Sequence, residues 1–287
     1  MATSRLLSRV KSAFTNFKND DPFTQASALA YSSIFAIPGI LVVTLLVAST
    51  FYDAQQVRDA LFAQAGGFIG GDTAHDLQGM VQEARVTKHG LFAKIIAGAA
   101  IVLSATSAFV ALQSSLNRVW RVSRGPGHAV VNYVFSRLAS LALLASFGFL
   151  LLISLVLDAT LVGLLERFGT SWLAAGAGLL ASLGMVTVIF ALVYKLLPDA
   201  RVEWRDIWAG AIFTAVLFTI GKWAIGLYIS KTNAGAAYGA GGAIIIILLW
   251  VYYSSLILLF GAHYTYAKAT ENGRHITPGK RAVLVER

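Results

Sequence analysis

The chain contains no cysteine, five prolines and only 14 acidic residues among 287. The lack of cysteine excludes disulfides, thiolate metal sites and cysteine nucleophiles. The few carboxylates form no close intramembrane pair of the kind that general acid–base work or a two-metal nuclease needs. Five histidines occur, His75, His89, His128, His263 and His275, and none are spaced four apart around a glutamate, so the zincin pattern is absent. There is no G-x-S-x-G elbow and no Walker loop. Ser8 and Lys11 form an S-x-x-K match on a surface segment without partner motifs, which reads as chance. The sequence therefore predicts no enzyme, no metal, no cofactor and no ATP-driven step of its own.

Charge is the other scarcity. Only 13% of residues are charged, 57% are hydrophobic, and the mean hydropathy is +0.69, outside the range of an ordinary soluble domain. Six stretches of 15 to 36 residues lack any Asp, Glu, Lys or Arg: Pro22–Tyr52, Ile95–Asn117, Leu138–Leu157, Phe168–Tyr194, Ile207–Gly221 and Thr232–Ala267. The fifth continues past Lys222 to Ser230. At about 1.5 Å per residue, roughly 20 apolar residues cross a hydrocarbon core of about 30 Å. The runs are too long for buried strands and lack the alternation of an outer-membrane barrel. The expected fold is all-α, a polytopic membrane protein with six transmembrane helices.

The net charge of +9 is explained by topology rather than by nucleic acid. Fifteen of the 23 basic residues precede the first run or follow the second, fourth and sixth, five lie in the other gaps, and Lys94, Arg137 and Lys222 lie within or at the edge of spans. The positive-inside rule then puts both termini in the cytoplasm. The first apolar run starts after about 20 polar residues and is too long for a signal h-region, so no cleaved signal peptide is expected. Three parts follow: an amphipathic cytoplasmic segment over 1–25, a membrane domain over 26–267 with an outer helical hairpin at about 53–90, and a basic cytoplasmic tail over 268–287.

Within the first part, Leu6, Leu7, Val10, Phe14 and Phe17 recur at helical spacing among basic and polar residues. Such a helix either lies on the cytoplasmic leaflet or packs on the ends of the spans. Pro38 removes a backbone hydrogen bond in mid-span, where a kink or break is expected. The outer hairpin turns at the glycines between Gly66 and Gly71, with its apolar face on the bundle or in the outer leaflet. Ala174, Gly178 and Ala181 permit close helix contact within the bundle or between subunits, so a homo-oligomer is open. Gly176 to Ala181 formally match a dinucleotide fingerprint, but they lie within a span with no strand before them. Lys222 is the deepest charge; it snorkels to the headgroups, pairs with Asp158 or meets an anionic substrate. Lys94, Arg137 and His263 read as interfacial.

Four segments together resemble the YihY/BrkB family of bacterial inner-membrane proteins. They are Ala28-Leu29-Ala30-Tyr31 with Pro38; Gln113 with Leu116-Asn117-Arg118-Val119-Trp120; Tyr194-Lys195-Leu196-Leu197-Pro198 with Trp204 and Gly210-Ala211; and Tyr238-Gly239-Ala240-Gly241-Gly242 with Leu249-Trp250-Val251-Tyr252 and Gly261-Ala262. Two positions depart: His263 stands where the family usually has glutamate, and Ser32 and Ser33 follow Tyr31 where a second aromatic is common. The resemblance implies six helices with cytoplasmic termini in the inner membrane and a role in export or lipid handling. An older ribonuclease BN label attached to the family finds no nuclease constellation here, and membrane-associated ribonuclease is the third reading. The leading expectation is a transporter, exporter or lipid translocator for an anionic or amphipathic substrate, with a non-catalytic envelope scaffold as the alternative. The bilayer is the expected partner, and nucleic acid is not. Tyr31, Pro38, Asn117, Arg118, Asp158, Lys222, Tyr238 and Gly239 are the candidate path or binding residues, the path lined by the first, fifth and sixth spans. Trp120, Trp204 and Trp250 read as interfacial anchors.

Overall fold

A computed structural model of the chain describes residues 2–48, 53–69, 71, 73–75, 78–79, 91–125, 171–232, 242–274, 276–279 and 282–285. The third apolar run, Asp158, Tyr238 and Gly239 lie outside the described residues. The elements in order are α1 (Ala2–Asn19), α2 (Pro22–Ala48), α3 (Ala54–Ile69), α4 (Leu91–Val119), β1 (Val122–Arg124), α5 (Ser171–Leu196), β2 (Ala200–Arg201), α6 (Trp204–Thr232), α7 (Gly242–Glu271), β3 (Thr277–Pro278) and β4 (Ala282–Leu284). Among the described residues, five helical segments are long and apolar enough to cross a membrane: Pro22–Val42, Ala99–Val119, Gly178–Leu196, Trp204–Tyr228 and Ile244–Glu271.

The chain after α7 folds back onto the ends of the other helices. β4 pairs antiparallel with β1, and β3 with β2, so the segments following α4, α5 and α7 meet at one end of the bundle. This basic end also holds α1, which buries Ala13 against Tyr264 and Ala267, with Val10, Phe213 and Phe260 around them. Of the two expected arrangements for α1, packing on the spans is the one present. Its other stripe, Leu7, Lys11, Phe14 and Lys18, is exposed.

α2 runs unbroken through Pro38, which corrects the expectation of a break. The proline removes one donor from the ladder, and α4 supplies hydroxyls to the same stretch. Ser104 Oγ donates to Phe35 O, and Ser107 Oγ reaches Ser32 O at 3.4 Å. The carbonyl that Pro38 leaves without its helical donor is that of Ile34, four residues earlier, and the two serines bond the carbonyls on either side of it. Gly39 makes this approach feasible, since a Cβ there would stand 2.9 Å from both Ala105 N and Ile101 O.

α6 and α7 cross through a local repeat. Gly210-Ala211-Ile212-Phe213-Thr214 faces Gly261-Ala262-His263-Tyr264-Thr265. A Cβ at Gly210 would overlap Thr265 Oγ1, and one at Gly261 would overlap Thr214 Oγ1. Each threonine fills the gap left by the other helix's glycine and returns its hydroxyl to the carbonyl of its own glycine, at 2.7 Å for Thr214 and 2.9 Å for Thr265. The rings of Phe213 and Tyr264 stack with centroids 4.3 Å apart. Tyr194 of α5 closes the junction: its hydroxyl donates to Leu258 O at 2.8 Å and lies 2.9 Å from Thr214 Oγ1. No water is needed to satisfy these groups.

Two packed clusters result. The larger, at the basic end, includes Leu116, Trp120, Tyr194, Ile207 and Leu259. The smaller, at the opposite end, joins Val42, Leu45, Ile246 and Ile247 to Val57 and Phe62 of α3 and to Ala74. Asp53 caps α3 by accepting from the N–H groups of Gln55 and Gln56 at 2.9 and 3.1 Å. α3 continues through Gly66 and Gly67 to Ile69, so the expected turn does not begin at Gly66. Gly66 faces Gly71 and Ala74.

Gly261→Ala is expected to destabilise the protein by about 1–3 kcal/mol through overpacking, read as a lower thermal midpoint in detergent. Gly226→Ala on α6, where a Cβ meets nothing within 4 Å, should be neutral or slightly stabilising. Equal effects of the two would contradict the role given to the crossing.

Candidate functional site

Asp20 sits in the link between α1 and α2, and its side chain is fully buried. Asp21, next to it, has φ 51, and this left-handed residue reverses the chain between the helices. Gln25 fixes the link by donating to Asp20 O at 2.5 Å. At the other side, α4 ends where Arg121 adopts φ 56; its N–H donates to Arg118 O and its carbonyl accepts from Val285 N–H. That turn brings the Arg121 guanidinium to Asp20 Oδ1 at 2.8 Å, while His263 Nε2 stands 3.0 Å from Oδ2. The other ring nitrogen of His263 lies 2.8 Å from Leu259 O. Both neighbours of the imidazole are oxygens, a carboxylate on one side and a backbone carbonyl on the other.

Burial by itself would raise the Asp20 pKa, but the hydrogen bonds from His263 and Arg121 prevail and hold the carboxyl at about 2. Phe17 packs edge-on to the imidazole at 5.6 Å, and the Arg121 guanidinium lies 5.9 Å from the Tyr266 ring centroid. His263 is thus a core residue, 1% exposed, and the interfacial reading is corrected. Only its position in the Gly-Ala-x-aromatic-Thr repeat marked it as facing inward. Trp120 is also corrected, from interfacial anchor to core: it is fully buried, and its Nε1 has no hydrogen-bond partner.

A second buried carboxylate, Asp206, receives Arg274 Nη1 at 2.8 Å with Lys268 Nζ at 3.9 Å. Asn117 performs a third tie. Its Nδ2 donates to Asp199 Oδ2 at 2.9 Å, and its Oδ1 accepts from Asp199 N–H at 2.8 Å. Gln113 Nε2 adds a bond to the other Asp199 oxygen at 3.3 Å, and Gly279 N–H donates to Asp199 O at 2.8 Å. Asn117 therefore holds the segment after α5 and, through it, the returning tail.

Between the packed clusters lies a groove of about 380 Å³ to which all five spanning helices contribute. Its walls are mostly apolar, among them Phe109, Phe190, Phe218 and Trp250, with hydroxyls from Ser33, Ser254 and Ser255. Ser254 Oγ is buried without a hydrogen-bond partner among the described residues. The groove includes α4 and α5 as well as the three helices expected to line a path, and Trp250 belongs to its wall. Trp204, by contrast, is 44% exposed at the start of α6, with Lys195 Nζ 5.4 Å from its ring centroid.

The remaining sequence candidates are dispersed. Tyr31 is 65% exposed on α2 and packs edge-on to Phe35, away from the groove. Lys222 is half-buried on α6. Its proposed pairing with Asp158 falls outside the described residues. Arg118 is exposed at the last turn of α4 and lines a separate cavity at the basic end. Among the described residues, no group of three His, Asp or Glu side chains could hold a metal ion.

The model for the family described as virulence factor BrkB matches residues 13–283. The chain belongs to the BrkB family. Similar proteins include a UPF0761 membrane protein of Alkalilimnicola ehrlichii, 29% identical over 275 residues, which cover 92% of this chain and 59% of that one. A UPF0761 membrane protein of Xanthomonas campestris pv. campestris is 28% identical over 252 residues, covering 86% and 57%. The chain thus spans less than two thirds of the length of these relatives. No solved structure matches it. The BrkB match includes the returning tail through β3 and most of β4, consistent with its being part of the folded unit.

Asp20→Asn should leave Arg121 and His263 without their buried anion and cost about 3–5 kcal/mol. Because the folded pKa is depressed from 3.8 to about 2, the stabilising contribution of Asp20 is complete above about pH 4 and lost as pH falls toward 2. Thermal melts of the wild type in detergent should show this loss, and Asp20→Asn should lack it. Parallel pH profiles would contradict the assignment.

Proposed function

We propose that this membrane protein moves an amphipathic, lipid-like substrate through the bilayer along the groove, without catalysing a covalent reaction. The groove itself carries the reading. It lies between two packed ends, it is walled by five spanning helices, and it offers hydroxyls, one of them without a partner among the described residues, within an otherwise apolar surface. A buried hydroxyl without a partner carries a desolvation cost that a ligand's polar group would remove. Aromatic and aliphatic walls suit an acyl chain, and serines suit the glycerol or headgroup region of an amphiphile. The sealed ends favour lateral entry from lipid over an aqueous channel.

In this reading the basic end faces the cytoplasm of a bacterial inner membrane, as the charge distribution implies. The cysteine-free chain allows a direct check by single substitutions. Lys18→Cys should react with an impermeant maleimide only after the cytoplasmic side is opened, and Asp59→Cys should react from outside; the reverse pattern would invert the topology.

Transport is tested with fluorescent phosphatidylglycerol in reconstituted vesicles. Wild-type protein should accelerate its movement between leaflets over protein-free vesicles, and Ser33→Phe, which fills the groove, should remove most of the acceleration while preserving the melt. Wild-type rates equal to protein-free rates would overturn the proposal and favour a scaffold.

A further inference from the structure

The cavity beside Arg118 lies apart from the groove. Its α4 residues, Val110, Ser114, Asn117 and Arg118, occupy the side of the helix opposite Ala108 and Leu112, which line the groove. The cavity measures about 470 Å³ and is completed by Arg121 in the turn after α4, Val122 and Ser123 of β1, and Val285 just after β4. We propose that it is a binding site for a phosphate-bearing anion, presented as the headgroup of an anionic phospholipid in the leaflet at the basic end. The proposal does not depend on transport through the groove.

Charge points to this ligand. Two arginines line the cavity, and among the described residues no Asp or Glu does. Arg121 spends one nitrogen on Asp20, which fixes its position and leaves further donors on the same planar group. Arg118 has no ion pair or hydrogen-bonding side-chain partner among the described residues. The guanidinium fork matches phosphate oxygens in bidentate fashion. The site is at the C-terminal end of α4, where the helix dipole repels anions. An anion must therefore be held by the arginines and hydroxyls, not by the helix end. Ser114 and Ser123 supply such hydroxyls on opposite sides of Arg118.

Depth points to the lipid as the source. Val110 and Ser114 lie within the Ala99–Val119 spanning segment, whereas Ser123 and Val285 lie beyond it. The cavity thus crosses from the edge of the hydrocarbon to water, as a phospholipid headgroup with its glycerol does. Free phosphate would use only the outer half.

The full chain can be assayed in detergent by native mass spectrometry and thermal melts, with phosphatidylglycerol, phosphatidylcholine or inorganic phosphate added. Wild type should retain phosphatidylglycerol in preference to phosphatidylcholine and melt higher with it. Arg118→Gln, an exposed substitution that leaves the Asp20 contacts intact, should weaken that retention by about tenfold, as the loss of a charge-assisted hydrogen bond implies. Arg118→Lys should recover part of it. Inorganic phosphate acting in the same Arg118-dependent way, without a lipid preference, would support the phosphate site and reject the lipid source. Retention and melts insensitive to Arg118 for every probe would overturn the site.

Discussion

One buried carboxylate organises the basic end of this protein. Asp20 is contacted by residues 101 and 243 positions away, Arg121 and His263, and it thereby fixes the α1–α2 link against the end of α4 and the inner part of α7. An isolated carboxylate would not remain ionised in such a place. It is tolerated because the Arg121 guanidinium and the His263 ring both hydrogen-bond to it. Two more aspartates make comparable ties: Asp206 is held by Arg274 and Lys268, and Asp199 by the side-chain amides of Asn117 and Gln113. Three aspartates thus tie the helix ends and the returning tail into one assembly.

That tight end gives the groove its meaning. Lipid supplies little hydrophobic driving force for helices to pack on each other, so packing and polar contacts must hold the bundle together. Here they are concentrated at the Gly-Thr crossing of α6 and α7 and at the aspartate ties. The opposite end is closed by α3 packed on α2 and α7. Among the described residues, a groove remains between these ends, and Ser254 there makes no hydrogen bond of the kind Thr214 and Thr265 make.

The helical class and most of the spans were legible from charge-free runs, because the bilayer punishes charge and unpaired backbone over a fixed thickness. The alternating basic residues likewise anticipated the gathering of the links after α4, α5 and α7. The site was less legible. Asp20, Arg121 and His263 are isolated in sequence, and their pairing follows from three-dimensional helix placement. Pro38 looked like a break because a single sequence does not reveal that Ser104 and Ser107 of α4 stand beside it. Asn117 looked like a ligand residue, but its polar groups are engaged by Asp199. The internal repeat around Gly210 and Gly261 was readable, and it would have predicted both the α6–α7 crossing and the inward orientation of His263.

The central claim is that the mid-depth groove holds lipid. An electron cryo-microscopy map of the protein in nanodiscs of bacterial lipid tests it most directly. The account predicts an elongated non-protein density between Phe109, Phe218 and Trp250, with a polar group near Ser254. A groove closed by side chains, or a resolved groove without lipid density, would contradict it.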